Sequence, residues 1–205
     1  MHPKVTSAKP GKCPKCGMAL RAVSKAEAVE APAGGADRAS KNDELSTSSP
    51  RIPDVRVFDQ NGKQLNFYSD LVKGRTVAIN FIFTTCTTIC PPMTATFRKV
   101  QQDISMLPVS VDLISVSVDP ETDTPERLRD FAAKFKAGPG WTFVTGEKTE
   151  IDSLLRALGA AVSDKNDHTP MILVGNDTTG YWTRTYGLSS PSSLVKVLTD
   201  AATHK

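Results

Sequence analysis

The chain has 205 residues, of which 39% are hydrophobic and 23% charged, enough for one packed domain with additional segments. Its formal net charge at pH 7 is +3 and no dense basic stripe is present, which argues against a nucleic-acid partner. No stretch approaches the roughly 18 apolar residues of a membrane helix, and no signal-peptide core follows Met1, so we expect no membrane span. The sequence fits either a cytoplasmic protein or the trimmed form of a longer precursor.

Residues 1–23 contain a cluster of soft metal ligands, which predicts a small metal-binding module. Cys13 and Cys16 are separated by two residues, a spacing typical of a metal knuckle. His2 and Met18 add an imidazole and a thioether, so we expect these four residues to share a metal ion. A closed zinc site needs one ligand more than Cys13, Cys16 and His2 supply. Two thiolates with a methionine favour Cu(I) or Ag(I), and a zinc knuckle is the alternative.

Residues 24–50 are rich in Ala, Ser, Glu, Gly and Pro and carry almost no large apolar side chains. Such a segment buries too little surface to offset the entropy of ordering it. We therefore predict a flexible linker over 24–50 and a folded domain over 51–205.

The folded domain alternates short apolar strands with amphipathic helices. In the first helix, apolar residues recur at spacings of three and four, and Pro125 and Gly159 mark a later helix start and helix end. An Asn-Gly pair at 61–62 predicts a tight turn. The predicted strands are 55–58, 76–83, 113–118, 143–144, 171–174 and 181–186, and the predicted helices are 91–106, 124–136, 148–158 and 191–202.

This order of elements predicts an α/β fold with a central mixed sheet. Strands separated by helices are expected to be parallel with right-handed crossovers, whereas the last two strands form a hairpin. The layout is that of a thioredoxin-like fold, with helices on both faces of the sheet.

The strand predicted at 76–83 leads into a Cys-x-x-x-Cys loop, and Pro91-Pro92 then open a helix. Unpaired N–H groups at a helix start favour negative charge, so a cysteine there ionises more easily. The thiolate is both the nucleophile and the metal ligand of cysteine chemistry. Cys86 and Cys90 therefore suit either Cu(I) or reversible disulfide formation. The alternative is a pair of ordinary buried cysteines.

Two further residues are candidates for the same site. His168 precedes the strand predicted at 171–174, and in a thioredoxin-like sheet the loop entering that strand faces the cysteine loop. It could supply an imidazole to a metal held by the cysteines, or be an exposed loop histidine. Asp119 follows the strand predicted at 113–118, where α/β sheets place ligands. Its carboxyl could orient a ligand or assist proton transfer, or could cap the following turn.

Residues 52–202 resemble the Sco/SenC family. The resemblance lies in Asn80-Phe-Ile-Phe-Thr-Thr-Cys86, in Cys90-Pro, in Ser117-Val-Asp-Pro-Glu-Thr-Asp-Thr-Pro-Glu, in Gly140-Trp-Thr-Phe and in Asp167-His168, in family order. It implies a thioredoxin-like fold that binds one copper ion, as Cu(I), Cu(II) or both, through Cys86, Cys90 and His168. It also implies a role in assembling the copper site of cytochrome c oxidase, in the periplasm or cell envelope of a bacterium.

Residues 1–20 look like the heavy-metal-binding module of copper and silver efflux proteins. Together the two resemblances leave three functions open. The first is a copper chaperone for a cytochrome c oxidase subunit or another cuproprotein, and the second is a thiol–disulfide oxidoreductase. Pro170 favours the second, because it stands where thioredoxins place a proline beside the active-site sulfurs. The third is a copper or silver resistance protein.

Overall fold

The computed structural model of the chain describes residues 50–162, 164, 170–186 and 188–204. The predicted module over 1–23, nearly all of the predicted linker and His168 lie outside these residues. Among the described helices, none is both long and apolar enough to cross a membrane.

A seven-stranded mixed sheet forms the centre of the described domain. Its strands are β1 (Arg56–Asp59), β2 (Gln64–Asn66), β3 (Thr76–Ile82), β4 (Asp112–Ser117), β5 (Trp141–Thr145), β6 (Met171–Asn176) and β7 (Tyr181–Tyr186). Their order across the sheet is β2-β1-β5-β4-β3-β6-β7. β3, β4 and β5 run parallel, whereas β6 pairs antiparallel with both β3 and β7.

Within the described residues, four α-helices and one short π-helical segment cover the sheet. They are α1 (Cys90–Ile104), α2 (Pro125–Lys134), α3 (Lys148–Leu158), α4 (Pro191–Thr203) and the π-helical segment Phe67–Val72. Proline occupies the first turn of α1, α2 and α4, where its missing N–H costs no helical hydrogen bond. The left-handed Gly159 (φ 72°) ends α3.

The helices divide between the two faces of the sheet, as predicted. Because side chains alternate along β3, Ala78 and Ile82 face one core while Val77, Ile79 and Phe81 face the other. Helices α1, α2 and α4 pack in the first core, and α3 with the π-helical segment packs in the second. All seven residues of β3 are buried, which explains why its sequence is apolar apart from Thr76 and Asn80.

The structure adds two elements to those predicted from the sequence. The predicted turn at 61–62 joins β1 to β2, and Gly62 adopts the positive φ of 80° that this turn requires. Strand β2 was not predicted because it is short and largely exposed, so its side chains show no apolar pattern. The π-helical segment was not predicted either. The predicted helix over 91–106 begins one residue earlier and ends at Ile104, and β5 is longer than the predicted 143–144.

Candidate functional site

Strand pairing brings the candidate residues to one edge of the sheet. β3 and β4 run parallel with Ile82 opposite Ser117, so both strands end together. β6 runs antiparallel to β3 with Ile172 opposite Asn80, so β6 begins where β3 ends. We call this edge, where β3 and β4 end and β6 begins, the carboxyl edge. It carries the cysteine loop, the turn that contains Asp119 and the start of β6.

Cys86 and Cys90 are free cysteines, and a hydrogen bond joins the backbone of Cys90 to the sulfur of Cys86. Cys90 is the first residue of α1, so its N–H has no partner within the helix. That N–H donates instead to Sγ of Cys86, at 3.4 Å. Sγ of Cys86 also lies 3.8 Å from Oγ1 of Thr88. The cysteine loop therefore folds its first sulfur back onto the start of the helix.

The environment separates the two thiols by burial and hydrogen bonding. Cys86 is 8% exposed and Cys90 is fully buried. Burial raises the pKa of Cys86, but hydrogen bonds from Cys90 and Thr88 outweigh this and lower its pKa overall. Burial, with the hydrogen bond to Cys86, raises the pKa of Cys90 to about 12. The expectation that a cysteine ionises more easily here therefore holds for Cys86 and not for Cys90.

The difference between the thiols has a chemical consequence. A thiolate attacks disulfides and metals, whereas a protonated thiol does not. Cys86 is suited to be the sulfur that attacks a disulfide first, and Cys90 is suited to be the sulfur that attacks second and resolves the mixed disulfide. Cys86 and Cys90 also stand at the two ends of one loop, so a single soft metal ion can bind both sulfurs.

Asp123 is a buried residue of the carboxyl edge that the sequence analysis did not identify. Its side chain is fully buried, and it accepts hydrogen bonds from the hydroxyls of Thr84 (2.5 Å) and Ser117 (2.6 Å). The N–H of Thr84 lies 3.2 Å from both carboxyl oxygens. Burial raises the pKa of this carboxyl, although the hydrogen bonds from Ser117 and Thr84 oppose the shift. The signal in the sequence that could have identified Asp123 is a hydroxyl residue at the end of each of two adjacent strands, Thr84 after β3 and Ser117 in β4.

Asp119 lies in the turn that follows β4. Its N–H donates to Oγ of Ser117 at 3.0 Å, and its carbonyl accepts the N–H groups of Thr122 and Asp123. The residue also lines a charged cavity of about 440 Å³ beside α3, together with Lys148, Asp152 and Arg156. The main chain of Asp119 therefore closes the turn, and the role of its carboxyl toward a ligand stays a prediction.

The remaining predicted ligands lie outside the described residues. They are His168 in the main site and His2, Cys13, Cys16 and Met18 in the N-terminal module. Pro170, two positions after His168, is described and lies half-buried beside the start of β6, at the carboxyl edge. Within the described ranges, no three His, Cys, Asp or Glu side chains form a metal-binding cluster.

Fold and site together define a thioredoxin-like α/β protein with a dithiol at the carboxyl edge of its sheet. The family model for SCO1/SenC matches residues 47–202. The chain therefore belongs to the SCO1/SenC family, as the sequence motifs predicted. A second family model, for a heavy metal binding domain, matches residues 1–23, the extent of the predicted N-terminal module.

Individual relatives agree with this assignment. The SCO1 protein homolog of Bacillus subtilis is 38% identical over 128 residues, which span 58% of this chain and 65% of that protein. The structure of BsSco, a Sco-family cytochrome c oxidase assembly protein described with a disulfide switch, is 31% identical with a TM-score of 0.62. It covers 77% of this chain and 98% of that one. Copper-bound ScoI of Bradyrhizobium japonicum is 25% identical with a TM-score of 0.54, covering 72% of this chain and 96% of that one.

The difference between the thiols predicts their order of alkylation. Only the thiolate reacts, so the rate rises with pH as the thiol ionises, and a lowered pKa moves this rise to lower pH. Cys86 should react with iodoacetamide well before Cys90, with a midpoint below the ordinary 9.0. Pulse alkylation followed by peptide mass spectrometry measures both sites in the unmodified chain.

A matched pair of variants checks whether the hydroxyl of Thr88 lowers the pKa of Cys86. Thr88→Val removes the hydroxyl near Sγ of Cys86 and should move the midpoint upward, whereas Thr87→Val at the exposed neighbouring position should not. Equal alkylation rates for Cys86 and Cys90 at neutral pH would contradict this account of the site.

Proposed function

We propose that this chain binds one copper ion through Cys86, Cys90 and His168 and delivers it to a copper-binding partner. The expected recipient is a cytochrome c oxidase subunit that carries a binuclear copper site. The observation that carries the proposal is the hydrogen-bonded pair of Cys86 and Cys90 at the carboxyl edge. Family membership and the copper-bound relative support the choice of metal. By family resemblance, the protein would act in the periplasm or cell envelope.

The chemistry of the donors fits copper as cargo. Thiolates are soft ligands that favour Cu(I), and an imidazole tolerates both Cu(I) and Cu(II). Binding requires both thiols to lose their protons, so the ion must displace the proton that burial holds on Cys90. A site that is costly to deprotonate also regains protons readily when copper leaves. This property suits a protein that gives up its metal to a partner.

The difference between the two thiols also favours a second candidate function, thiol–disulfide exchange with a partner's cysteines. In such a step the Cys86 thiolate attacks the partner's disulfide, forming a mixed disulfide and releasing one partner thiolate. Cys90 then loses its proton and attacks Sγ of Cys86, which releases the second partner thiolate. Two electrons pass to the partner's two sulfurs, the proton of Cys90 is released, and Cys86 and Cys90 end as a disulfide.

The predicted N-terminal module would supply a second metal site in the same chain. The predicted linker of residues 24–50 would span about 30 Å as a flexible chain. We propose that Cys13, Cys16, His2 and Met18 collect copper and pass it to the Cys86/Cys90 site of the same molecule. The heavy metal binding domain match supports this relay. It equally suits a copper or silver resistance protein that retains its metal.

Removing the proposed imidazole tests the main site. In a Cys13→Ser/Cys16→Ser background, separate titrations with Cu(II) and, anaerobically, with Cu(I), each against a competing chelator, report the main site. His168→Ala should weaken Cu(II) binding by at least about hundredfold, since loss of even an outer partner of a ligand costs 10–100-fold. The loss of Cu(I) affinity should be smaller, because Cu(I) depends mainly on the two thiolates.

His204→Ala is the matched control for this titration. His204 stacks on Tyr181 and lines a cavity with Gly74 and Thr76, at the end of β3 away from the cysteines. Its replacement should leave copper binding unchanged. If both histidine variants bind copper alike, His168 is not a ligand. If the background chain itself does not bind copper, thiol–disulfide exchange becomes the better account.

The relay predicts a kinetic effect of the N-terminal cysteines. At limiting Cu(I), Cys13→Ser/Cys16→Ser should slow loading of the main site several-fold without changing its equilibrium affinity. Loading is measured as protection of Cys86 from alkylation over time. Identical loading rates in the variant and the unmodified chain would exclude the relay.

A further inference from the structure

Asp123 joins three segments of the carboxyl edge through one buried carboxyl. It accepts hydrogen bonds from Thr84, which follows β3, and from Ser117, which ends β4. Oγ of Ser117 also accepts the N–H of Asp119 at 3.0 Å, which links the carboxyl to the turn after β4. The carboxyl side chain is fully buried, so water cannot replace these bonds.

Thr84 is the point where this network reaches the cysteine loop. It lies two residues before Cys86 and donates both its N–H and its hydroxyl to Asp123. The next main-chain bond of the loop runs from Cys86 N–H to Phe83 O at 3.1 Å. Phe83 and Thr84 are adjacent, so fixing Thr84 also fixes the carbonyl that holds Cys86. The position of Cys86 therefore depends on the carboxyl of Asp123.

The hydrogen bond between the cysteine loop and the start of α1 forms only if Cys86 is correctly placed. Its sulfur must lie within reach of the Cys90 N–H, which donates to it over 3.4 Å. Because a buried donor without a partner is costly, removing the Asp123 carboxyl should displace Thr84 rather than leave its donors in place. A displaced Thr84 would also move the sulfur of Cys86, which lies two residues further along the chain.

We propose that Asp123 is a positioning residue that holds the cysteine loop in the metal-binding geometry through Thr84. This inference rests on the proposed copper function for its role, although the hydrogen bonds stand independently of the metal. It assigns to Asp123 an effect on copper affinity that a general contribution to folding would not produce. The residue itself touches neither sulfur by hydrogen bond and would not be a ligand.

Four variants, each in the Cys13→Ser/Cys16→Ser background of the full chain, test the inference. Asp123→Ala removes the carboxyl that accepts the hydrogen bonds of Thr84 and Ser117, and Thr84→Val removes one hydroxyl while keeping the shape of the side chain. Thr84→Ser retains the hydroxyl and is the rescue variant. Ser115→Ala is the matched control, because Ser115 is also buried on β4 but bonds to Asn80 (2.6 Å) and Trp141 (2.9 Å), away from the loop.

Two readouts separate positioning from stability. Cu(I) affinity should fall about tenfold in Asp123→Ala and about threefold in Thr84→Val, because hydrogen bonds to the carboxyl are lost. Thr84→Ser and Ser115→Ala should bind copper like the background chain, even though Ser115→Ala lowers the urea midpoint of unfolding. Without metal, hydrogen exchange of amides 84–90 should accelerate in Asp123→Ala and Thr84→Val and not in Ser115→Ala.

Several results would overturn the inference. Unchanged exchange in the loop of both Asp123→Ala and Thr84→Val would show that the carboxyl does not position it. A loss of affinity in Ser115→Ala equal to that in Thr84→Val would attribute the effect to stability alone. If the background chain binds no copper, the proposed function fails, and the exchange measurement still decides whether Asp123 positions the loop.

Discussion

The opposite pairing of β3 with its two neighbours is the constraint on which the site depends. β3 runs parallel to β4 and antiparallel to β6, so the ends of β3 and β4 meet the beginning of β6 at one edge. The pairing is held by a strand that is buried throughout, with a separate apolar core on each face. A shift of one residue in its register would exchange the two faces and is therefore strongly disfavoured. This rigid pairing fixes the position of the cysteine loop.

On that scaffold, a helix start and burial give the two cysteines different properties. The N–H of Cys90 at the beginning of α1 donates to Cys86 and stabilises charge there, whereas burial keeps the proton on Cys90. The proposed metal binding and the proposed disulfide exchange would both use this arrangement, since both begin with the Cys86 thiolate.

Much of this arrangement was predictable from the sequence because it depends on local patterns. The buried strand, the Cys-x-x-x-Cys loop and the prolines after it are contiguous, so they predicted both β3 and the start of α1. Strand β2 was missed because its three residues carry no apolar alternation. Asp123 was missed for a different reason: its partner Thr84 is 39 residues away in the sequence, and only strand pairing brings them together. Asp119, the acidic residue that the sequence analysis named with a turn cap as the alternative, closes a turn with its main chain, and the role of its carboxyl toward a ligand stays a prediction.

In the proposed copper site, two sulfurs of the cysteine loop and one histidine nitrogen hold one copper ion. X-ray absorption at the copper edge, on the Cu(I)-loaded Cys13→Ser/Cys16→Ser chain, counts these ligands directly. The account predicts two sulfur neighbours and one imidazole, with the imidazole signal lost in His168→Ala. A copper environment of sulfur alone, unchanged by that substitution, would contradict the claim and exclude His168 from the site.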